Sequence, residues 1–317
     1  MKDLRKLSDQ QKMTALYNET DTDASILHDP DAAHIVVNHN KVLGLTAVPG
    51  LNVDVEEVED GINAKISVDE GVKIQKKVHI CFGMLPKSGI QKINLDVNIN
   101  DGASIGILAH CVFANSEDVE HIMDAKIKLG KNANYSYLEK HVHGKHGGVK
   151  VIAKAKIDIG ENSSFKTEFD LIKGRVGLID MEYEATAAKN GLIDMLAKIS
   201  GKGDDVIKIN EIGHLAGERS RGVLTSKIAV RDNARAEIKN TMTATGAYSR
   251  GHVDCKEIVK DNATAMAIPI VDVQNPKAHI THEAAIGSVD NKQLETLMSR
   301  GLDEDEASEL IIEGLLS

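Results

Sequence analysis

Three stretches with one shared pattern decide the fold class: INLDVNINDGASIGIL (93–108), DAKIKLGKNANYSYLE (124–139) and KAKIDIGENSSFKTEF (154–169). In each stretch apolar residues occupy alternate positions, a turn of Asp, Gly or Asn follows, and a small residue precedes a second alternating segment. Alternation with a period of two is typical of β-strands that bury one face. The small residues Ala103, Ala133 and Ser163 are 30 residues apart.

The pattern returns in SKIAVRDNARAEIKN (226–240) and KEIVKDNATAMAIPI (256–270), where Ala234 and Ala263 are 29 residues apart. A near-constant period indicates a stacked repeat architecture. Because helices are absent between the paired strands, the pattern predicts a parallel β-helix whose rungs bury an aliphatic inner face against one another. A sandwich or irregular barrel is the alternative. Residues 178–222 are less regular, and we expect rungs with bulges or loops there.

The composition fits closely stacked strands. Hydrophobic residues make up 42% of the 317 residues but aromatic residues only 3%, so the core must consist of Val, Ile, Leu and Ala.

The net charge of −10 argues against a general nucleic-acid binder, which needs a basic face. The sequence has no apolar run of about 18 residues. Its first residues, MKDLRKLSDQQ, lack the apolar stretch of a secretory signal. The sequence therefore predicts a cytoplasmic protein.

Helical patterns flank the β-rich region. We predict an N-terminal helical segment (1–30) with a helix over 3–18, a β-helix core (31–287) and a C-terminal helical module (288–317). Since exposed end rungs are prone to unwanted pairing, the terminal helices are candidate caps for the β-helix.

The C-terminal module contains two predicted helices. Ser288 or Asp290 can begin the first, and Gly301 can end it. Acidic residues fill the first turns of the second helix, where they suit the helix dipole. The expected apolar stripe of this second helix consists of Leu310, Ile311 and Leu315.

Metal chemistry would require mixed ligands. The cysteines Cys81, Cys111 and Cys255 form no CxxC pair, so a metal cage within one chain is not expected. A second chain could supply the missing ligands.

Cys255 lies beside Asp254 and near His252, and His282 and Glu283 follow about one rung later. Adjacent strands lie about 4.8 Å apart, so these side chains can meet. Thiolate, imidazole and carboxylate together suit iron or zinc. The strand phase, however, places Cys255 with the inward set and Asp254 with the outward set. The alternative is therefore that Cys255 is a buried, small apolar residue.

A second candidate metal site is HVHGKHGG (141–148). On a strand His141 and His143 would share one face. The alternative is a polar loop between two rungs. The adjacent pair His110 and Cys111 would point to opposite faces, which argues against a shared metal.

The last third of the chain resembles the SufB/SufD scaffold subunits of the SUF iron–sulfur cluster assembly system. The resemblance rests on SRGVLTSKIAVRDNARAEIKN (220–240), DCKEIVKDNATAMAIPIVDVQNPKAHITHEAAIG (254–287) and QLETLMSRGLDEDEASELIIEGLL (293–316). The last two stretches are specific together, whereas before residue 220 the likeness is architectural. The resemblance implies a right-handed parallel β-helix with helical N- and C-terminal parts. The chain would be a short form of this family, since it is shorter than a typical SufB.

The resemblance also implies a function. The chain would be a non-enzymatic scaffold that holds a transient iron–sulfur cluster of the 4Fe-4S type, with no cofactor permanently bound. It would pair through the C-terminal end of the β-helix, as a homodimer or as a SufB/SufD-type heterodimer. ATP hydrolysis would occur in a SufC-type ABC ATPase docked on residues 288–316. The alternative is a SufD-like interaction module that docks the ATPase without binding a cluster.

The family's ligands map unevenly onto this sequence. The glutamate of its HEA motif corresponds to Glu283. Its scaffold cysteine corresponds to Asp254 in an ungapped match and to Cys255 only with a shift of one residue. The resemblance therefore implies cluster ligands among Cys255, Glu283 and Asp254, with His282 and His252 beside them.

Overall fold

Two β-sheets of mainly parallel strands enclose one aliphatic core. The computed structural model describes residues 8–18 and 32–317. Within these ranges the helices are α1 (Asp9–Asn18), α2 (Asn291–Met298) and α3 (Glu304–Leu316). The strands are β1 (His34–Asn38), β2 (Lys41–Thr46), β3 (Leu51–Val58), β4 (Gly61–Val68), β5 (Val78–Gly83), β6 (Ser88–Ile99), β7 (Ser104–Phe113), β8 (Asp118–Leu129), β9 (Asn134–His143), β10 (Val149–Ile159), β11 (Ser164–Lys173), β12 (Gly177–Ala187), β13 (Leu192–Gly201), β14 (Val206–Leu215), β15 (Arg221–Val230), β16 (Arg235–Ala244), β17 (Arg250–Val259), β18 (Thr264–Val273) and β19 (His279–Gly287).

The strand order confirms the parallel β-helix. From β4 onward, even-numbered strands pair in parallel in one sheet, and from β5 onward odd-numbered strands do so in the other. The solenoid has about 8 turns. At its N-terminal end β2 and β3 add antiparallel partners, β2 on β1 and β3 on β4. None of the helices in the described part of the chain is long and apolar enough to cross a bilayer.

The small residues of the repeat lie inside the corners. Ala103 and Ala133, one 30-residue period apart, are fully buried at one corner, and Ala234 is fully buried at another. Corner residues preceding them adopt the left-handed backbone that Asn, Asp and Gly tolerate best. These positions recur once per rung, at Asn132, Asn162, Asn190, Arg219 and Tyr248 in one column and at Asp232 and Asp261 in another.

Residues 178–222 form rungs, as expected, but their loops lie only at the corners between strands, and the expected bulges are absent from these strands. Strands β12 to β15 pair with their neighbours without a register shift between them. The alternation is hidden in the sequence because the inward positions include Glu211 and Gly213, which are not apolar side chains. Backbone pairing to regular rungs on both sides keeps this segment regular despite them.

The terminal helices pack on the flank of the β-helix rather than over its ends. Residues 3–7 of the predicted helix, and the rest of the predicted segment 1–30 apart from residues 8–18, lie outside the described residues. Met13 of α1 packs with Val36, Cys81 and Val112 on the outer face of the odd-numbered sheet. At the other end of the chain α3 contacts β13 and β15. All of β19 except Ile280 is exposed, so nothing in the described ranges 8–18 and 32–317 caps the last rung.

Helix α3 presents a different face from the one expected. Its buried residues are Ala307, Ser308, Ile312 and Leu316, and Ile312 and Leu316 pack on Ala229 and Ile258. Leu310 is 48% exposed, contrary to the predicted stripe. Ion pairs from Lys260 to Asp305 and from Arg231 to Glu309 join the helix to the sheet and help to select its orientation. The predicted start of α2 at Asp290 is confirmed, since its side chain accepts a hydrogen bond from the Gln293 backbone.

Gly217 provides a test of how closely the corners stack. A Cβ built at this glycine would lie 2.0 Å from the Lys189 nitrogen and 2.1 Å from the Ala188 carbonyl carbon, both backbone atoms of the preceding rung. We expect Gly217→Ala to lower the free energy of unfolding by about 3 kcal/mol, because two rungs must separate. Denaturant unfolding followed by circular dichroism measures the change.

Gly314 is the matched control, because a Cβ there meets nothing within 4 Å. Gly314→Ala is expected to leave stability unchanged or to raise it by up to about 1 kcal/mol through helix propensity. Equal effects of the two substitutions would contradict the close stacking of the corner at Gly217.

Candidate functional site

The exposed last rung carries a cluster of possible metal ligands, the last-rung cluster, formed by His252, Asp254 and Glu283. One ligand atom from each residue lies within 4.8 Å of the other two. Strand register explains the meeting, since Asp254 of β17 pairs directly with Glu283 of β19. Residues 252 and 254 share the outward face of β17 because side chains alternate along a strand.

Hydrogen bonds hold two of these side chains in place. His252 Nδ1 and Thr281 Oγ1 are 2.8 Å apart. Lys256 donates to Asp254 Oδ2 over 2.9 Å, and this bond, with the charges of Asp254 and Glu283, raises the pKa of Lys256. The other oxygen of Asp254, Oδ1, is buried without a hydrogen-bond partner. An unpaired buried carboxylate oxygen is costly and favours a cation or donor at this position.

Cys255 and His282 do not join the last-rung cluster. Cys255 points inward, is fully buried, and pairs in register with Ala284. Asn240 Nδ2 lies 3.7 Å from its Sγ atom, and desolvation raises the pKa of this thiol. His282 pairs with the inward residue Val253 but is exposed, because no further rung covers it. The inward phase of Cys255 in the sequence already indicated this placement.

A second cluster of polar side chains lies in the interior of the β-helix. Two of its members, Cys111 and His141, belong to separate sequence motifs. The interior cluster consists of Gln91, Cys111, His121, Glu139 and His141, all buried. Cys111 Sγ donates to Glu139 Oε1 at 3.3 Å and lies 3.8 Å from His121 Nε2. His141 Nε2 donates to the same Glu139 oxygen at 2.9 Å. Glu139, His121 and Gln91 were missed because no local motif contains them.

The repeat spacing contains a signal for this second cluster. Gln91 and His121 are 30 residues apart and pair in register, as do Cys111 and His141. The predicted shared face of His141 and His143 is confirmed, with 3.0 Å between His141 Nδ1 and His143 Nε2. His146 of the same motif is exposed, so the three histidines do not form one site.

Burial controls the ionisation of the interior cluster. Desolvation raises the pKa of the Cys111 thiol well above its usual value and lowers that of His121 to about 3. Desolvation would also raise the pKa of Glu139, but the hydrogen bond and electrostatic attraction of His141 and the hydrogen bond from Cys111 outweigh it and lower the pKa. The cluster therefore combines a neutral thiol, a neutral imidazole and a carboxylate.

Known proteins similar to this chain share one assembly pathway. Residues 85–315 match the family described as SUF system FeS cluster assembly, SufBD core domain. An iron–sulfur cluster assembly SufBD family protein of Methanocaldococcus jannaschii is 41% identical over 89% of this chain and 89% of its own length. A SufBD family protein of Pyrococcus horikoshii is 36% identical over 96% and 92%. The iron–sulfur cluster assembly protein SufB of Bacillus subtilis is 24% identical over 79% and 54%. This chain therefore belongs to the SufBD family and has a role in iron–sulfur cluster assembly.

Proposed function

We propose that this chain is a non-enzymatic scaffold whose last rung forms a two-fold interface at which an iron–sulfur cluster is assembled. The observation that carries the proposal is the last-rung cluster: three convergent ligand groups at the exposed C-terminal end of the β-helix. The iron–sulfur cluster is cargo: it is built from iron and sulfide brought to the interface and is then passed on.

The last rung has the properties of an unpaired interface. Ile270, Val271, Val273 and Ile286 are each at least 36% exposed, and all four lie on β18 or β19. A parallel sheet edge with exposed apolar side chains favours pairing with another chain. A two-fold axis brings the same surface of a second copy against it and doubles every ligand. We propose a homodimer as the working form. A SufB/SufD-type heterodimer would use the same surface.

The outward residues are the proposed ligands. Asp254 and Glu283 offer carboxylate oxygens and His252 an imidazole nitrogen, all of which bind iron. Two copies would supply four carboxylates and two imidazoles. We assign the ligand role to Asp254 rather than Cys255, because Cys255 faces the interior while Asp254 has a buried oxygen without a partner.

Anaerobic reconstitution with ferrous and ferric iron and sulfide tests this assignment. We expect the dimer to develop the visible charge-transfer absorption of an iron–sulfur cluster, with most of it lost in Glu283→Ala and Asp254→Ala. Cys255→Ala should retain it. Asp272→Ala is the matched control, because Asp272 is an exposed carboxylate on the same rung outside the last-rung cluster.

Two outcomes would separate the alternatives. Absence of the band from the wild type, with or without the ATPase, would exclude cluster holding and favour the SufD-like interaction module. Loss of the band in Cys255→Ala but not in Asp254→Ala would identify the Cys255 thiol as the ligand and contradict the assignment to Asp254.

We further propose that α2 and α3 dock a SufC-type ABC ATPase. The helices pack on each other, and α3 is anchored to β15 and β17 through Ile312 and Leu316. Met298 and Leu310 remain 42% and 48% exposed, so the pair offers apolar contacts on a fixed support. Nucleotide-dependent contacts of the ATPase could then shift the arrangement of the two scaffold chains.

Leu310→Asp is expected to weaken binding of the ATPase at least tenfold, about 1.4 kcal/mol, because it places a charge in an apolar contact. Leu45→Asp is the control, since Leu45 is similarly exposed (42%) but lies on β2 at the other end of the β-helix. Calorimetric titration measures both dissociation constants. Unchanged affinity after deletion of residues 288–317 would exclude this docking site.

A further inference from the structure

The geometry of the interior cluster points to a second metal site. We propose that Cys111, His121 and Glu139 bind one divalent transition-metal ion, Zn²⁺ or Fe²⁺, inside the β-helix. This site is separate from the last-rung cluster and does not depend on dimer formation. It lies on β7, β8 and β9, near the N-terminal end of the solenoid.

The donor atoms have the spacing of a tetrahedral site. Sγ of Cys111 lies 3.3 Å from Glu139 Oε1 and 3.8 Å from His121 Nε2, and all three donor atoms lie within 4.8 Å of one another. Metal–sulfur bonds of about 2.3 Å and metal–nitrogen or metal–oxygen bonds of about 2.0–2.1 Å at tetrahedral angles place neighbouring donors about 3.5 Å apart. An ion fits between the three atoms with small side-chain movements.

Gln91 orients the imidazole of His121 for this role. Its Nε2 donates to the carbonyl oxygens of His39 and Gly83, at 2.8 and 3.1 Å, which assigns its Oε1 as an acceptor. This oxygen lies 3.0 Å from His121 Nδ1, which must therefore carry the proton. The lone pair of Nε2 is then directed toward Cys111. A ligating histidine is usually held in this way, through a hydrogen bond from its other nitrogen.

His141 holds the carboxylate of Glu139 in the same manner, donating from Nε2 to Oε1 at 2.9 Å. Phe113 packs against the ring of His121 with 5.0 Å between centroids and limits its rotation. The three ligands project from strands rather than loops. Hydrogen bonds and packing fix the directions of their side chains. Such support is what distinguishes a metal site from a chance meeting of side chains.

Charge balance favours the metal in this environment. A thiolate at Cys111 and a carboxylate at Glu139 carry two negative charges, which one divalent ion neutralises. Binding removes the proton from the Cys111 thiol and releases it to solvent. An ion whose charge is balanced by its ligands costs less in a buried interior than an isolated charged group.

Co²⁺ is the probe, because a cobalt–thiolate bond gives a near-ultraviolet charge-transfer band. The full chain carrying Asp254→Ala and Glu283→Ala, expressed with cobalt in place of zinc, removes the last-rung cluster as a source of signal. We expect one cobalt per chain by mass spectrometry, together with the charge-transfer band. Cys111→Ser and His121→Gln should lose the band, and Cys255→Ser, which alters another buried cysteine, should keep it.

A positioning variant separates metal binding from folding. Gln91→Met keeps the bulk of the side chain but removes its hydrogen bond to His121, and should weaken cobalt affinity about 10–100-fold while the band persists at saturation. X-ray absorption of the chain carrying only Asp254→Ala and Glu283→Ala should show one sulfur ligand beside nitrogen and oxygen, whether or not the further variants fold. This chain folded but without cobalt, cobalt without sulfur ligation, or a band that survives in Cys111→Ser would overturn the proposal.

Discussion

Replacing Asp205 by Ala is expected to lower the free energy of unfolding by about 4 kcal/mol, because it leaves the backbone N–H groups of Gly177 and Lys202 without an acceptor and removes the buried carboxylate that pairs with Arg175. The Asp205 carboxylate is fully buried at the corner before β14. Its Oδ1 accepts from Arg175 at 3.2–3.3 Å and from the Gly177 backbone at 3.2 Å. Its Oδ2 accepts from the Lys202 backbone at 2.9 Å. The side chain thus joins the equivalent corners of two successive rungs.

The adjacent Asp204 supplies a matched control. It pairs with the same arginine, but its side chain is 89% exposed. Exposed ion pairs contribute at most about 1 kcal/mol, so Asp204→Ala should have a small effect. Denaturant midpoints of the two variants measure the difference. If both substitutions cost the same small amount, the buried carboxylate does not stabilise the corner as described.

Because of Glu211, the free energy of unfolding is expected to fall as the pH rises from about 4.5 to about 8. Its side chain faces the interior of β14, and one oxygen, Oε2, is buried without a partner. Desolvation raises the pKa of this carboxyl from 4.5 to about 8. Between these values the unfolded chain releases a proton that the folded chain retains, so rising pH favours unfolding. At about 1.4 kcal/mol per pH unit, the loss approaches about 4 kcal/mol across the window.

Glu211→Gln should abolish this contribution and make the protein more stable than the wild type at pH 8, by up to about 4 kcal/mol. Glu237→Gln on the neighbouring strand β16 is the control, since Glu237 is exposed and should leave the pH profile unchanged. Unfolding in denaturant at several pH values measures both slopes. An unaltered slope in Glu211→Gln would show that this carboxyl does not cause the pH dependence.

Much of the scaffold could be predicted because its determinants are local. Apolar residues at alternate positions specify which face of a strand is buried, and one turn of Asp, Asn or Gly per corner permits the left-handed backbone seen at Asn132 and Asp232. Asp290 begins α2 because an N-cap requires only its own helix. The segment 178–222 is more regular than its sequence indicates, because inward Glu211 and Gly213 interrupt the apolar alternation without causing a bulge.

The candidate sites were less predictable, because they depend on which rungs meet and in what register. The sequence placed Asp254 and Cys255 on opposite faces and brought Glu283 within one rung of them. Only the register, Asp254 opposite Glu283, shows that the carboxylates meet on the outward face with His252. The interior cluster joins β6, β7, β8 and β9 across both sheets, and no sequence window contains that juxtaposition.

The sequence by itself determined the repeat, the parallel β-helix, the inward phase of Cys255 and the SufBD resemblance, because each depends on patterns within one or two rungs. Tertiary structure alone decided that the terminal helices lie along the flank and leave the last rung open. It also decided which buried polar groups meet. The physical reason is that a helix chooses between packing surfaces, here through Ile312 and Leu316 against Ala229 and Ile258. That choice compares surfaces distant in the chain, which local patterning does not encode.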